Sequence, residues 1–118
     1  MGMGKIEVIS VRGMKVGSDK DVIYVGRRCS GWEGSVLGNK YKVGVDGERG
    51  ECVELYKEWL REEWRKGGVV KDELLRIGRI VKSGGNVKLG CWCKGRYEKC
   101  HGDFVKYVVE VLIEKGYV

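Results

Sequence analysis

The 118-residue sequence contains no proline, and alanine, threonine and glutamine are also missing from it. Alanine, proline and threonine are the three amino acids whose codons all carry C in the middle position, and glutamine codons begin with C. A coding strand poor in C therefore removes all four together. Selection for heat stability would thin out glutamine but favour proline in loops, so coding bias accounts for the set better. It suggests a small genome with strand asymmetry, such as that of a virus of a thermophile. No apolar run approaches the roughly 20 residues of a membrane span. The opening MGMGKIEVIS lacks the basic region and apolar core of an export signal. These absences lead to the expectation of a cytoplasmic protein, in the host cytoplasm if viral, with no membrane partner.

What is present fits one folded unit. With 42% hydrophobic and 34% charged residues the chain is too apolar for disorder. Its length suits a single domain over residues 1–118, because two would each have a marginal core. The formal charge is +6, unevenly spread. Segment 48–63 carries six glutamates, whereas residues 76–99 hold seven lysines and arginines against Glu98 alone. A basic excess of this size is compatible with a nucleic-acid or phosphate partner, and equally with a solvated surface.

Hydrophobic periodicity gives the order strand, strand, loop, helix, helix, strand, helix. Ile6 to Val11 nearly alternates, and Asp21 to Val25 is short and almost wholly apolar, as in a central buried strand. Residues 26–50 hold seven glycines and read as an ordered functional loop, with one short strand at Tyr41 to Val45. Cys52, Val53, Tyr56, Trp59, Leu60 and Trp64 then form a helical stripe ended by Gly67 and Gly68. Val70, Leu74, Ile77 and Val81 mark a second helix. Val87, Leu89, Cys91 and Cys93 alternate on one strand face, with Trp92 opposite. A last helix starts near Gly102, with Phe104, Tyr107, Val108, Val111 and Leu112 inward. Helices between strands imply right-handed crossovers, hence an α/β fold with a mixed or mostly parallel sheet flanked by helices. Ligands of such sheets gather beyond the carboxyl ends of the strands. Here those ends are Gly26-Arg27-Arg28 and Cys91-Trp92-Cys93.

Cys91, Cys93, Cys100 and His101 place four soft ligands within eleven positions, and His101 is the only histidine. Three thiolates and one imidazole are a tetrahedral zinc donor set, although Cys-x-Cys departs from the usual Cys-x-x-Cys turn. Two other chemistries fit the same residues. Cys91 or Cys93 can form a disulfide with Cys100, as intracellular proteins of hyperthermophiles tolerate. Alternatively Cys100, beside His101 at a helix N-terminus, can serve as a reactive thiolate. Asp103 is expected to cap that helix. Cys52 belongs to the apolar stripe, and Cys29 follows the arginine pair as a spare ligand.

A series of motifs runs from Val22 to Asp103: Tyr24-Val25-Gly26-Arg27, Leu37-Gly38-Asn39-Lys40, Asp46-Gly47-Glu48-Arg49, Tyr56-Lys57-Glu58-Trp59-Leu60, Gly90-Cys91-Trp92-Cys93 and Cys100-His101-Gly102-Asp103. The series resembles the prokaryotic and phage family catalogued as domain of unknown function 4326. The Gly-Cys-Trp-Cys and Cys-His-Gly-Asp pair is its specific part. Leu37 and Lys40 stand where that family has tryptophan and proline, and Trp32 is the nearby aromatic substitute. The family carries no settled activity, so the resemblance strengthens the site and leaves the reaction open.

Two functional expectations follow. In the first, a zinc-stapled domain binds a nucleotide or nucleic acid through Arg27, Arg28, Asn39 and Arg49, helped by Lys94 and Arg96, with Trp32 or Trp92 stacking on a base unless they are core residues. In the second, an enzyme acts on such a ligand through an open metal position or Cys100. The sequence offers no second histidine as a general base, which favours binding. A third possibility is a viral module that only contacts host proteins.

Overall fold

The computed structural model describes residues 2–29, 31–41, 45–92 and 100–118, without the Arg49 side chain. Three strands, β1 (Ile6–Ser10), β2 (Val22–Tyr24) and β3 (Val87–Cys91), form one sheet in the order β1-β3-β2. Both pairings are parallel, and Leu89 of β3 lies between Val8 and Ile23. The central strand is thus β3, and β2 is an edge, contrary to the expectation from its apolar run. All three β2 residues are half-buried, whereas every β3 residue but Lys88 is buried. The run is too short for its composition alone to fix its place in the sheet. The short strand expected at Tyr41 to Val45 falls on 42–44, outside the described residues.

The chain crosses the sheet twice, in opposite directions. Right-handed crossings of opposite sense must pass over opposite faces. From β1 to β2 the loop 11–21 covers one face, where Lys88 reaches Asp19 at 2.6 Å. Gly90 keeps this crossing close: a Cβ there would stand 2.6 Å from Val11 Cγ1. From β2 to β3 the chain forms α1 (Arg49–Lys66) and α2 (Val69–Lys82), and α3 (His101–Glu114) follows β3. The three helices share the other face. Leu89, Leu74, Ile77, Val105 and Val109 are fully buried in the core between them and the sheet.

Local chemistry sets the helix ends. The Glu48 N–H donates to Glu51 Oε1 at 3.1 Å, satisfying a donor at the start of α1. Gly67, at φ 79°, stops α1 and donates its N–H to Glu63 O. In α3 the N-cap is Cys100, in extended conformation, and Asp103 lies within the first turn. The expected Asp103 cap is therefore displaced by three residues. A carboxylate there still faces the positive end of the helix dipole.

Candidate functional site

The carboxyl ends of β2 and β3 meet the first turn of α3. Val25 continues the pairing by donating its N–H to Gly90 O at 2.9 Å. On the helical face, Cys91 Sγ lies 2.9 Å from Cys100 Sγ, and both side chains are buried. His101 is also buried, and its Nε2 donates to Val25 O at 2.6 Å. Because a carbonyl can only accept, that bond assigns a proton to Nε2. The ring packs edge-on to Tyr56, with centroids 5.1 Å apart. Burial pushes the Tyr56 phenol well above its ordinary pKa, with the Cys100 sulfur adding to the effect. Gly102 allows the close approach, since a Cβ would sit 3.0 Å from Val8 Cγ1 and 3.6 Å from Cys91 Sγ.

The opposite face of the same strand ends is aromatic. Tyr24 packs on Trp32 at 5.1 Å, and the Arg12 guanidinium lies 5.7 Å over the Trp92 ring. The Tyr24 hydroxyl donates to Arg27 O, fixing the turn that presents Arg27. Burial raises the Tyr24 pKa, and the Cys29 and Cys91 sulfurs raise it further. The Trp92 indole N–H and Arg27 act in the opposite sense. That indole N–H is buried and lacks the alignment of a hydrogen bond to any described group.

Loop 26–38 folds back on the strand end. Ser35 N donates to Gly26 O at 3.0 Å, and Cys29 and Trp32 exchange both backbone hydrogen bonds. Leu37 is fully buried, and its carbonyl accepts from the Tyr56 hydroxyl at 2.6 Å. Burial of a leucine stabilises by about 1.5–3 kcal/mol, and the hydrogen bond adds about 1 kcal/mol. Together these tie the glycine-rich loop to α1. Leu37 is thus a core anchor, and Trp32, 7% exposed, packs on Tyr24.

The sequence-predicted residues divide as follows. Cys91, Cys100 and His101 gather at the junction of β3 and α3, while Cys93, Lys94 and Arg96 lie outside the described residues. Among the described residues no group of three or more His, Cys, Asp or Glu side chains is placed to hold a metal ion. Arg27 and Arg28 are exposed immediately beyond β2. Glu54, one of the six glutamates of segment 48–63, pairs with Lys57 at 3.1 Å. Asn39 accepts from Tyr41 N at 2.9 Å, and its amide nitrogen reaches Cys52 O at 3.5 Å, so it braces the loop against α1. Arg49 opens α1, its side chain being outside the described residues. Cys52 is buried as expected, and Cys29 is exposed. Sequence periodicity marked Tyr24 and Tyr56 only as apolar positions. The hydroxyls that tie the loop to strand and helix, that of Tyr56 in a buried bond and that of Tyr24 in an exposed one, have no signature in a hydrophobic pattern.

The chain belongs to the family described as Domain of unknown function (DUF4326), whose model matches residues 9–111. The DUF4326 match takes in the end of β1, both crossings and most of α3, and so every candidate residue above. No curated protein and no solved structure matches the chain. Among the described residues no helix is long and apolar enough to cross a membrane.

Proposed function

We propose that this domain binds a phosphate-bearing ligand, a nucleotide or a nucleic acid, at the carboxyl end of its parallel sheet, with Cys91, Cys93, Cys100 and His101 holding a zinc ion that pins β3 to α3. The observation that carries it is the position of the exposed Arg27 and Arg28, just beyond the edge strand β2 and next to Val25, whose carbonyl is bonded to His101. Guanidinium groups pair with phosphate oxygens through charge-assisted bonds. Carboxyl ends of parallel strands are where such ligands collect.

Two features support the zinc. The Cys91 and Cys100 sulfurs are already adjacent. His101 donates its Nε2 proton to a backbone carbonyl, which is how metal-ligating imidazoles are oriented, and the ligand atom would be Nδ1. Burial of Cys100 at 3% exposure favours a structural ligand over a nucleophile that must meet substrate.

The test is a titration of mononucleotides and short single and double strands against wild type and Arg27→Ala. Binding that weakens steeply with salt and falls at least tenfold on substitution supports the proposal. Absence of binding, with Arg27→Ala altering only stability, overturns it.

A further inference from the structure

A second surface lies away from the arginine pair, where α1, α2 and α3 leave a groove with a cavity volume of about 680 Å³. Its polar lining has one sign. Among the described residues, Arg61, Arg65, Lys71 and Lys115 border it and no carboxylate does. Arg65 is shared with Glu62 at 2.7 Å, but no ion pair among the described residues engages Arg61, Lys71 or Lys115.

Its apolar lining is aromatic and partly bare. Tyr107 is 59% exposed and Tyr117 58%. Each stands on a second ring: Tyr107 stacks on Phe104 with centroids 6.0 Å apart, and Tyr117 meets the Trp64 ring edge-on at 5.3 Å. Tyr107 was expected to face the core. The buried face of α3 includes the expected Phe104 and Leu112 but also Val105 and Val109, which turns Tyr107 outward. The Lys71 ammonium lies 4.8 Å over Trp64, and the Arg61 guanidinium 5.5 Å over Phe104. Arg61, Phe104 and Tyr107 also border a separate neighbouring cleft, which includes the Asp103 carboxylate and Cys100 at the N-terminus of α3.

We infer that this groove binds single-stranded nucleic acid. Cations without carboxylate partners suit a polyanion, and exposed rings backed by other rings suit unpaired bases, which stack on aromatic platforms irrespective of sequence. A duplex hides its base faces, and an acidic peptide would leave the rings unused. The groove uses none of Arg27, Arg28, Asn39 or Arg49, so the inference goes beyond the crevice proposal and stands or falls separately.

The experiment is fluorescence anisotropy of a labelled oligothymidylate of about ten nucleotides, with wild type, Tyr107→Ala, Tyr107→Phe, the Lys71→Glu/Lys115→Glu double variant and Arg27→Ala. Wild type should bind the single strand in preference to its duplex. Tyr107→Ala should weaken binding roughly five- to 150-fold, the range set by loss of one stacked base, and Tyr107→Phe should retain it. The double variant should flatten the log–log salt slope by about 0.7 for each cation lost. The inference is overturned if no strand binds, if duplex binds as well, or if polyglutamate competes as effectively. It is also overturned if only Arg27→Ala abolishes binding, which would assign the strand to the crevice. Circular dichroism confirms that each variant is folded, and Tyr107→Phe separates ring loss from misfolding.

Discussion

His101 Nε2 donates to the Val25 carbonyl at 2.6 Å, joining the first turn of α3 to the last residue paired on the β2 side of the sheet. The two residues are 76 positions apart, and the bond is buried. It closes the sheet's carboxyl end where no strand continues. Replacing His101 with alanine leaves the carbonyl without its donor and removes the ring from Tyr56. A buried group left unsatisfied costs about 1–3 kcal/mol. Urea unfolding of His101→Ala should show a loss in that range, with the slope against urea unchanged.

Tyr56→Phe tests the loop anchor. The variant keeps the ring among its neighbours but deletes the bond to Leu37 O, at a cost of about 1–2 kcal/mol. Because that bond is the hydroxyl's tie to the loop, amide hydrogen exchange should quicken in residues 31–38 more than in α2 or β3. Uniform acceleration across the protein would show that Tyr56 serves the core as a whole.

Much of this architecture was legible because it rests on periodicity. Val70, Leu74, Ile77 and Val81 repeat at helical spacing and are all buried on α2, and Val87, Leu89 and Cys91 alternate into the core. Strand order was not legible. The β2 run differs little from a central strand in composition, and its edge position follows from the direction in which α1 and α2 return the chain. Tyr107 and Asp103 show the same limit at finer scale. A helix capped by Cys100 begins three residues before one capped by Asp103 would, which puts Asp103 in the first turn, and the stripe through Val105 and Val109 leaves Tyr107 outside. The Cys91 and Cys100 proximity could be anticipated, because a strand end and a helix start separated by a short connection must lie together. The His101 bond to Val25 could not, since it depends on which strand neighbours β3.

Gly90→Ala should destabilise the sheet. Any Cβ at this position would enter the space of Val11 Cγ1 at 2.6 Å and press Val22 Cγ1 at 3.2 Å. Overpacking of this kind costs about 1–3 kcal/mol. The double variant Gly90→Ala/Val11→Ala should recover part of the loss, which a melting series of the four proteins would measure. Full additivity of the two single effects would mean that Val11 is not the obstacle.

The pair between Lys88 and Asp19 gives a pH dependence whose sign follows from its direction. The hydrogen bond from Lys88 holds the Asp19 carboxyl below the usual carboxylate range, and the same bond raises the Lys88 ammonium. A lowered carboxylate contributes above its unfolded pKa and loses that contribution as pH falls through the folded value. A raised lysine contributes below its unfolded pKa and loses it as pH rises through the folded value. Wild type should therefore gain relative to Lys88→Met at neutral pH, with the advantage fading at the acid and alkaline ends. Both groups are solvated, so the gain should shrink in high salt. An advantage that is constant with pH would assign the effect to the lysine stem packing on the sheet.

Zinc at Cys91, Cys93, Cys100 and His101 makes the most specific demand on the structure. Two thiolates on one tetrahedral ion stand about 3.8 Å apart, given bonds of about 2.3 Å. The Cys91 and Cys100 sulfurs lie 2.9 Å apart, so uptake of the ion should part them and shift the first turn of α3 outward from β3. Protein purified without chelator should contain one zinc per chain, and free zinc at about 100 times its dissociation constant should raise the unfolding free energy by about 2.7 kcal/mol. Cys100→Ser removes one thiolate and should abolish that gain while leaving the Tyr56 hydrogen bond to Leu37 in place. The competing chemistry is a disulfide between the same adjacent sulfurs, which denies the ion two of its ligands. Mass measurement under non-reducing and reducing conditions distinguishes them: a gain of two hydrogens on reduction, with no metal in the native protein, would overturn the zinc assignment and leave a covalent staple between β3 and α3 in its place.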